Sequence, residues 1–310
     1  MGNKKYKGIE KKQARWGFIF VLPAMLFFSL FNFYPILNAF YTSFFDKRAL
    51  SRRAPKFIGL GNYERLFRLS TAGNPLSFYN SLKATFIFTL GTFIPLLVMS
   101  LLLAVLVSYL KNGRVKKFLQ ISYYAPAVLS SVVAATIWMI IFDPRGLGNQ
   151  WVNTLFNTPG VDHRWLVDPT MERLSTMVIY FWKYIGYFVI LFITGLASIP
   201  PTLYEASLID GANKNQTFWR ITLPLLKPTV VLVSVMSMLQ CLKTFSTQYM
   251  IYTNGAPRAA INVITFNIYV TGIQEQYLSR ASAMSVVLFV LMMLLTLLQF
   301  RATKSENVDY

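Results

Sequence analysis

Between Pro200 and Pro228 a polar insert separates two long apolar segments. It reads Pro200-Pro201-Thr202-Leu203-Tyr204-Glu205-Ala206-Ser207-Leu208-Ile209-Asp210-Gly211-Ala212, then Ile221-Thr222-Leu223-Pro224. These residues suit contact rather than covalent catalysis. The proline pair is expected to end the preceding helix, because proline cannot continue the hydrogen-bond ladder. Residues 203–208 can form one short helix, and Gly211 permits the left-handed turn that stops it. Phe218, Ile221 and Leu223 supply an apolar side for a second short element. Ala206 and Ser207 are small enough to let another surface approach closely, and Glu205 offers a carboxylate to a basic partner. The plain alternative is an ordinary loop with a cap and a breaker.

Two further groups of polar residues lie inside apolar segments. Tyr180, Lys183, Tyr184 and Tyr187 occur at i, i+3, i+4 and i+7 and share one helical face. Ser234, Ser237, Cys241, Thr244 and Gln248 form a second stripe, with Gln240 and Lys243 beside it. Polar groups in apolar helices either face a cavity or join helices together. The two lysines are read either as partners for an anion or as side chains that snorkel to an interface. No Gly-x-x-x-x-Gly-Lys-Ser/Thr phosphate loop occurs, nor any acid–His–Ser constellation or metal-ligand cluster. The single histidine, His163, sits in a polar loop, and the single cysteine, Cys241, allows no intramolecular disulfide.

Composition dictates where these residues must sit. Of 310 residues, 55% are hydrophobic and 14% charged, against about 25% charged in soluble domains. The net charge of +18 does not indicate nucleic acid. The basic residues lie beside apolar runs, as expected where lysine and arginine flank membrane spans and meet anionic headgroups. Crossing a bilayer takes about 20 apolar residues in a helix. The sequence predicts an all-α polytopic membrane protein with six transmembrane helices, over 16–45 and about 84–110, 118–142, 174–197, 228–250 and 281–300. Pro23 and Pro35 are expected to kink or bound the first, which is too long for a signal-peptide core. None of these spans carries Asp or Glu, whereas ion-coupled carriers usually hold intramembrane carboxylates.

Orientation follows from the short loops. The tail 1–15 holds six Lys and Arg against Glu10, and the connection 111–117 holds four. The positive-inside rule puts both, and with them the insert at 198–227 and the tail 301–310, in the cytoplasm. The loop 46–79 then lies outside despite its basic residues, and Asn62–Leu69 is expected to form a short interfacial helix. Residues 259–274 are uncharged but short for a span, and are read as a surface or re-entrant segment. Were they to cross, the count would become seven and the C-terminus would change sides.

The insert resembles the signature loop of permease subunits of binding-protein-dependent ABC importers: Glu-Ala-Ala, three residues, Gly, nine residues, Ile-x-Leu-Pro. Here it is Glu205-Ala206-Ser207, Gly211 and Ile221-Thr222-Leu223-Pro224, with serine for the third residue. A wider frame is similar to the maltose-type branch. It comprises Phe57-Ile58-Gly59-Leu60 with Asn62-Tyr63, Asp143-Pro144, Trp165-Leu166-Val167-Asp168-Pro169, Trp182 and Gly186, Gly195-Leu196, and Ile209-Asp210-Gly211-Ala212. The resemblance implies the type I importer permease fold, with 80–300 as the core and a cytoplasmic coupling helix between spans 4 and 5.

It also implies that Glu205, Ala206, Ser207, Asp210, Gly211, Ala212, Ile221 and Pro224 meet an ATPase subunit. The implied partners are a second homologous permease, two ATP-binding subunits that use ATP and Mg, an extracellular solute-binding protein and a carbohydrate. The chain itself is then not an enzyme. Tyr187 matches a sugar-contacting tyrosine of that branch. Tyr and Gln suit a neutral sugar, so Tyr180, Lys183, Tyr184, Ser237, Gln240, Thr244 and Gln248 join it as candidate pathway residues. The competing readings are a permease for glycerol phosphates or amino acids, a secondary transporter or channel, and an intramembrane enzyme.

Overall fold

The computed structural model describes residues 3–51, 54–68, 74 and 76–302, with side chains beyond the N-terminal tail. Leu69, expected in the interfacial helix, and most of the C-terminal tail lie outside the described residues. The chain divides into two compact units, Met1–Leu66 with Ile268–Val287, and Phe67–Asn267 with Leu288–Tyr310.

In the first unit, α1 (Asn3–Phe28) runs through a π-turn at Ser29–Phe33 into α2 (Tyr34–Ser43). The helix thus includes most of the segment read as a basic tail. Pro23 is accommodated within α1. Pro35 cannot donate to the carbonyl one turn back, and the wider turn just before it absorbs the mismatch. Apolar residues from Trp16 to Leu37 are exposed around the helix, as a lipid-facing segment requires.

A two-residue antiparallel pair follows, β1 (Phe45–Asp46) with β2 (Lys56–Phe57), then α3 (Gly61–Arg68). The Asn62-Tyr63 pair has a structural task here. Buried Asn62 donates through Nδ2 to the carbonyls of Ser43 and Phe45, each at 2.8 Å. The Tyr63 hydroxyl lies 2.7 Å from Ser43 Oγ. Together they tie α3 to the end of α2. The exposed Arg65–Asp46 pair at 3.6 Å adds little.

The second unit is built around one helix. In order it contains α4 (Phe78–Ser108), α5 (Gly113–Val128), α6 (Ser131–Ile141), α7 (Leu147–Phe156) and α8 (Pro169–Ala197). After them come α9 (Pro201–Ile209), α10 (Lys214–Thr217), α11 (Leu223–Leu225), α12 (Lys227–Leu242), α13 (Ser246–Thr253) and α14 (Arg258–Ile261). Helices α15 (Ile264–Tyr269) and α16 (Leu278–Ala302) run across the unit boundaries, as does the last turn of α3. Helix α8 packs against α4, α5, α6, α12, α13 and α14. Asp168 caps it by accepting from the Thr170 and Met171 amides at 2.9 and 3.0 Å, with Pro169 in the first turn. This explains the Asp168-Pro169 step.

Among the described residues five helical segments are long and apolar enough to cross a membrane, and a bent pair makes a sixth span if counted as one. That pair corrects the expectation of a continuous span over 118–142. Helices α5 and α6 meet at 100°. Pro126 lies in the last turn of α5, Leu129 is extended, and Ser130 starts α6 by accepting from the Val133 amide at 3.2 Å. Freed backbone groups at such a break need partners, and the Lys183 ammonium donates to the Leu129 carbonyl.

The expected span over 228–250 lies within one candidate span, Lys227–Thr253, whose helix opens locally. Residues 243–245 leave the helix between α12 and α13. The freed Thr244 carbonyl accepts from the Thr265 hydroxyl.

A third difference concerns residues 259–274. The surface alternative fails, since Ala260, Ile261, Asn262, Val263, Ile264, Phe266, Asn267, Val270 and Thr271 are buried. Within the second unit this segment is fastened to α4. Ser81 Oγ accepts from Asn262 Nδ2 at 2.9 Å and from Asn267 Nδ2 at 2.7 Å, and the Ile264 amide donates to Thr85 Oγ1 at 2.8 Å.

Candidate coupling loop and polar interior

The connection between α8 and α12 is helical at both ends and closed by a turn whose geometry only glycine suits. Ser198 ends α8, so the prolines do not. Instead Pro200 is the N-cap of α9 and Pro201 its first residue, where a missing amide costs nothing. At the other end Gly211 has φ +73°. The Gly211 amide donates to the Leu208 carbonyl at 3.1 Å and the Ala212 amide to the Ser207 carbonyl at 2.9 Å. These are the two bonds of a Schellman motif, which requires a left-handed residue at this position.

Asn213 and Gln216 then form a capping box, each side chain bonding the other's amide at 2.9 Å, and start α10. A π-turn at Phe218–Thr222 leads into α11, where Pro224 again occupies the first turn.

The eight predicted coupling residues divide by exposure. Glu205, Ala206, Asp210, Gly211 and Pro224 are exposed, and Ala212 and Ile221 half-buried. Ser207 is buried and faces inward, with its hydroxyl donating to the Tyr204 carbonyl at 2.8 Å and lying 3.4 Å from Thr217 Oγ1. It holds α9 to α10 and is not offered to a partner, which corrects the expectation that it lets another surface approach. Sequence reasoning passed over Leu208, Ile209 and Trp219, which are 72%, 87% and 60% exposed. Apolar side chains displayed on a short polar connection are the signal that was available.

Of the polar stripes, Tyr180, Lys183, Tyr184 and Tyr187 lie on α8, Ser237 and Gln240 on α12, Thr244 in the break after it and Gln248 on α13; α8 packs on both α12 and α13. Tyr180, Lys183, Ser237, Thr244 and Gln248 are buried, and Tyr184, Tyr187 and Gln240 half-buried. Several of them already serve the fold. Tyr180 meets Tyr184 at a tilt of 44° with centroids 4.5 Å apart and Phe88 edge-on at 5.4 Å. The Ser237 hydroxyl returns to the Val233 carbonyl at 2.6 Å, and Thr244 donates to Gln248 Oε1 at 3.0 Å. Gln248 Nε2, Gln240 Oε1, Thr89 Oγ1 and Thr92 Oγ1 are buried without protein partners. Such groups retain hydrogen-bonding capacity for a ligand or water. Thr89 and Thr92 were missed, although Ser81, Thr85, Thr89 and Thr92 repeat at helical spacing on α4.

One carboxylate corrects the claim that the spans lack acids. Helix α8 begins earlier than expected, so it includes Glu172, which is fully buried with neither carboxylate oxygen partnered. The Gly186 position is equally specific. A Cβ built there would overlap the Tyr123 carbonyl, so α5 and α8 touch backbone to side-chain site.

Two cavities open at the ends of the second unit. One of about 540 Å³ is lined by Asp143, Asp162, Arg164, Trp165 and Asn254 among others. The Trp165 indole is locked there by a 2.6 Å bond to Asn149 Oδ1 and a stacked contact with Phe142. The other, of about 290 Å³, lies where α4, α5, α8 and α9 converge. Neither is lined by the candidate pathway residues.

The model of the family "binding-protein-dependent transport system inner membrane component" matches residues 96–304. The arabinooligosaccharides transport system permease protein AraP of Bacillus subtilis (strain 168) is 30% identical over 301 residues, covering 96% of this chain and 90% of that protein. The sn-glycerol-3-phosphate transport system permease protein UgpA of Agrobacterium fabrum is 30% identical over 294 residues, covering 94% and 96%. A solved bacterial ABC transporter involved in the import of the acidic polysaccharide alginate contains a chain similar in fold. Its TM-score is 0.79 at 23% identity, covering 97% of this chain and 98% of that one.

Proposed function

The chain belongs to the family of binding-protein-dependent transport system inner membrane components, and from that premise we propose that it is the membrane-spanning subunit through which a carbohydrate, delivered by an extracellular binding protein, enters the cell. A second permease completes the path. Two ATP-binding subunits use ATP and Mg, and this chain transmits their closure. The insert and both termini face the cytoplasm in this reading, as the basic tail and the connection 111–117 require.

The observation that carries the proposal is α9 itself. It is a short helix with an exposed Glu205, Ala206, Leu208 and Ile209, held between two long apolar helices and closed at Gly211. An apolar patch beside a carboxylate fits a groove with a basic rim. Ser207 supports the contact from within. Hydroxyl-rich substrate would pass α8, α12 and α13, where Tyr184, Tyr187 and Gln240 are only half-buried and Gln240 and Gln248 keep unsatisfied polar atoms.

A second substrate reading, glycerol phosphate, is favoured by the likeness to UgpA. The test is uptake in proteoliposomes containing this chain, its permease and ATPase partners and the binding protein. ATP-dependent accumulation of an arabino-oligosaccharide but not glycerol phosphate is expected. The reverse preference would replace the carbohydrate, and uptake without the ATPase would refute the coupling role.

A further inference from the structure

We propose that the cleft between α4, α5, α8 and α9 binds the phosphate headgroup of an anionic phospholipid. The cleft encloses about 290 Å³ and is amphiphilic. Val105, Ile193 and Leu196 form its apolar wall, and Lys116, Tyr109 and Tyr204 bring an ammonium and two phenols to it. No Asp or Glu lines it, and Lys116, half-buried, makes no ion pair among the described residues. Lys214, at the start of α10, places a second ammonium 5.7 Å from the Tyr109 ring centroid.

The Tyr204 hydroxyl lies 3.4 Å from Thr222 Oγ1, which shares its single hydrogen with the Thr217 carbonyl at the same distance. A buried or half-buried cation wants an anion, and a phosphate diester accepts several charge-assisted bonds at once.

The apolar wall identifies the source of that phosphate. α4 ends, α5 begins and α8 ends at this cleft, so it lies where apolar span gives way to polar loop. Leu106 and Leu110 are exposed along the same end of α4. An acyl chain can run along that surface while its headgroup reaches Lys116. A dissolved phosphate would use the cation and leave the wall uncovered. Exposed Lys111, Arg114 and Lys117 in the adjoining connection favour an anionic surface. A bound headgroup would fasten α9 to the ends of α4 and α5. The inference depends on the cleft alone and stands whether or not α9 meets an ATPase.

The experiment is native mass spectrometry of the assembled transporter released from micelles doped with phosphatidylglycerol or phosphatidylcholine. Phosphatidylglycerol is expected to be retained in preference. Lys116→Gln should weaken retention roughly fivefold, the contribution of one lysine near a lipid surface. Lys117→Gln removes the same charge from an exposed neighbour and should leave it unchanged. Tyr204→Phe, which keeps the ring, should lower it by a smaller factor. Equal losses from both lysine variants would mean diffuse attraction and would overturn the site. Displacement of the lipid by millimolar inorganic phosphate would overturn the lipid as the source.

Discussion

At the residue scale the account turns on Gly211. Its left-handed backbone closes α9 through two defined hydrogen bonds, and its α-carbon faces open space. Sterics therefore tolerate a side chain while the backbone does not, and an L residue in this conformation costs about 1–2 kcal/mol. Gly211→Val should abolish most ATP-driven uptake while the amount of assembled transporter in the membrane stays near wild type. Gly211→Asn, the side chain that best tolerates the left-handed region, should keep much of it. Normal uptake by the valine variant would show that the shape of this turn is not used. The helix stop at Gly211 could be read from the sequence because glycine after a short helical run marks a left-handed turn. Leu208 and Ile209 were not singled out, since an apolar residue in a linear sequence does not declare whether it faces a core or a partner. Ser207 was misjudged for a related reason. Smallness suggests close approach, but only the fold shows that the approaching surface is the chain's own α10.

At the element scale, long apolar segments were legible and their interruptions were not. The sequence predicts a continuous span over 118–142, yet Pro126 and the Ser130 cap split it and turn it by 100°. Proline in a span is common enough that its presence does not decide between a kink and a break. At this break Lys183 on α8 donates to the freed Leu129 carbonyl. That pairing is invisible without the fold, and it explains a lysine that periodicity alone left between two readings. Segment 259–274 was ambiguous for the same reason, because Asn262 and Asn267 look like loop residues until Ser81 and Thr85 are seen opposite them. The contact of α5 with α8 gives a direct test. Gly186→Ala forces a methyl group into the Tyr123 carbonyl and should cost about 1–3 kcal/mol, the usual range for overpacking. Thermal unfolding of the purified protein should show a lowered midpoint. An unchanged midpoint would mean that the two helices can separate freely.

At the scale of the whole molecule, this apolar helical chain belongs to the family of binding-protein-dependent transport system inner membrane components. In the proposed function α9 is the surface on which an ATP-hydrolysing partner acts from the cytoplasm. The sole cysteine, Cys241, is buried, so Cys241→Ala provides a background in which Ala206→Cys is the one reporter. Inside-out vesicles would be treated with a membrane-impermeant maleimide before and after the ATPase subunits are added. Rapid labelling of residue 206 is expected in their absence, and strong protection once they bind. Labelling confined to right-side-out vesicles, or undiminished by the bound ATPase, would contradict this role of α9.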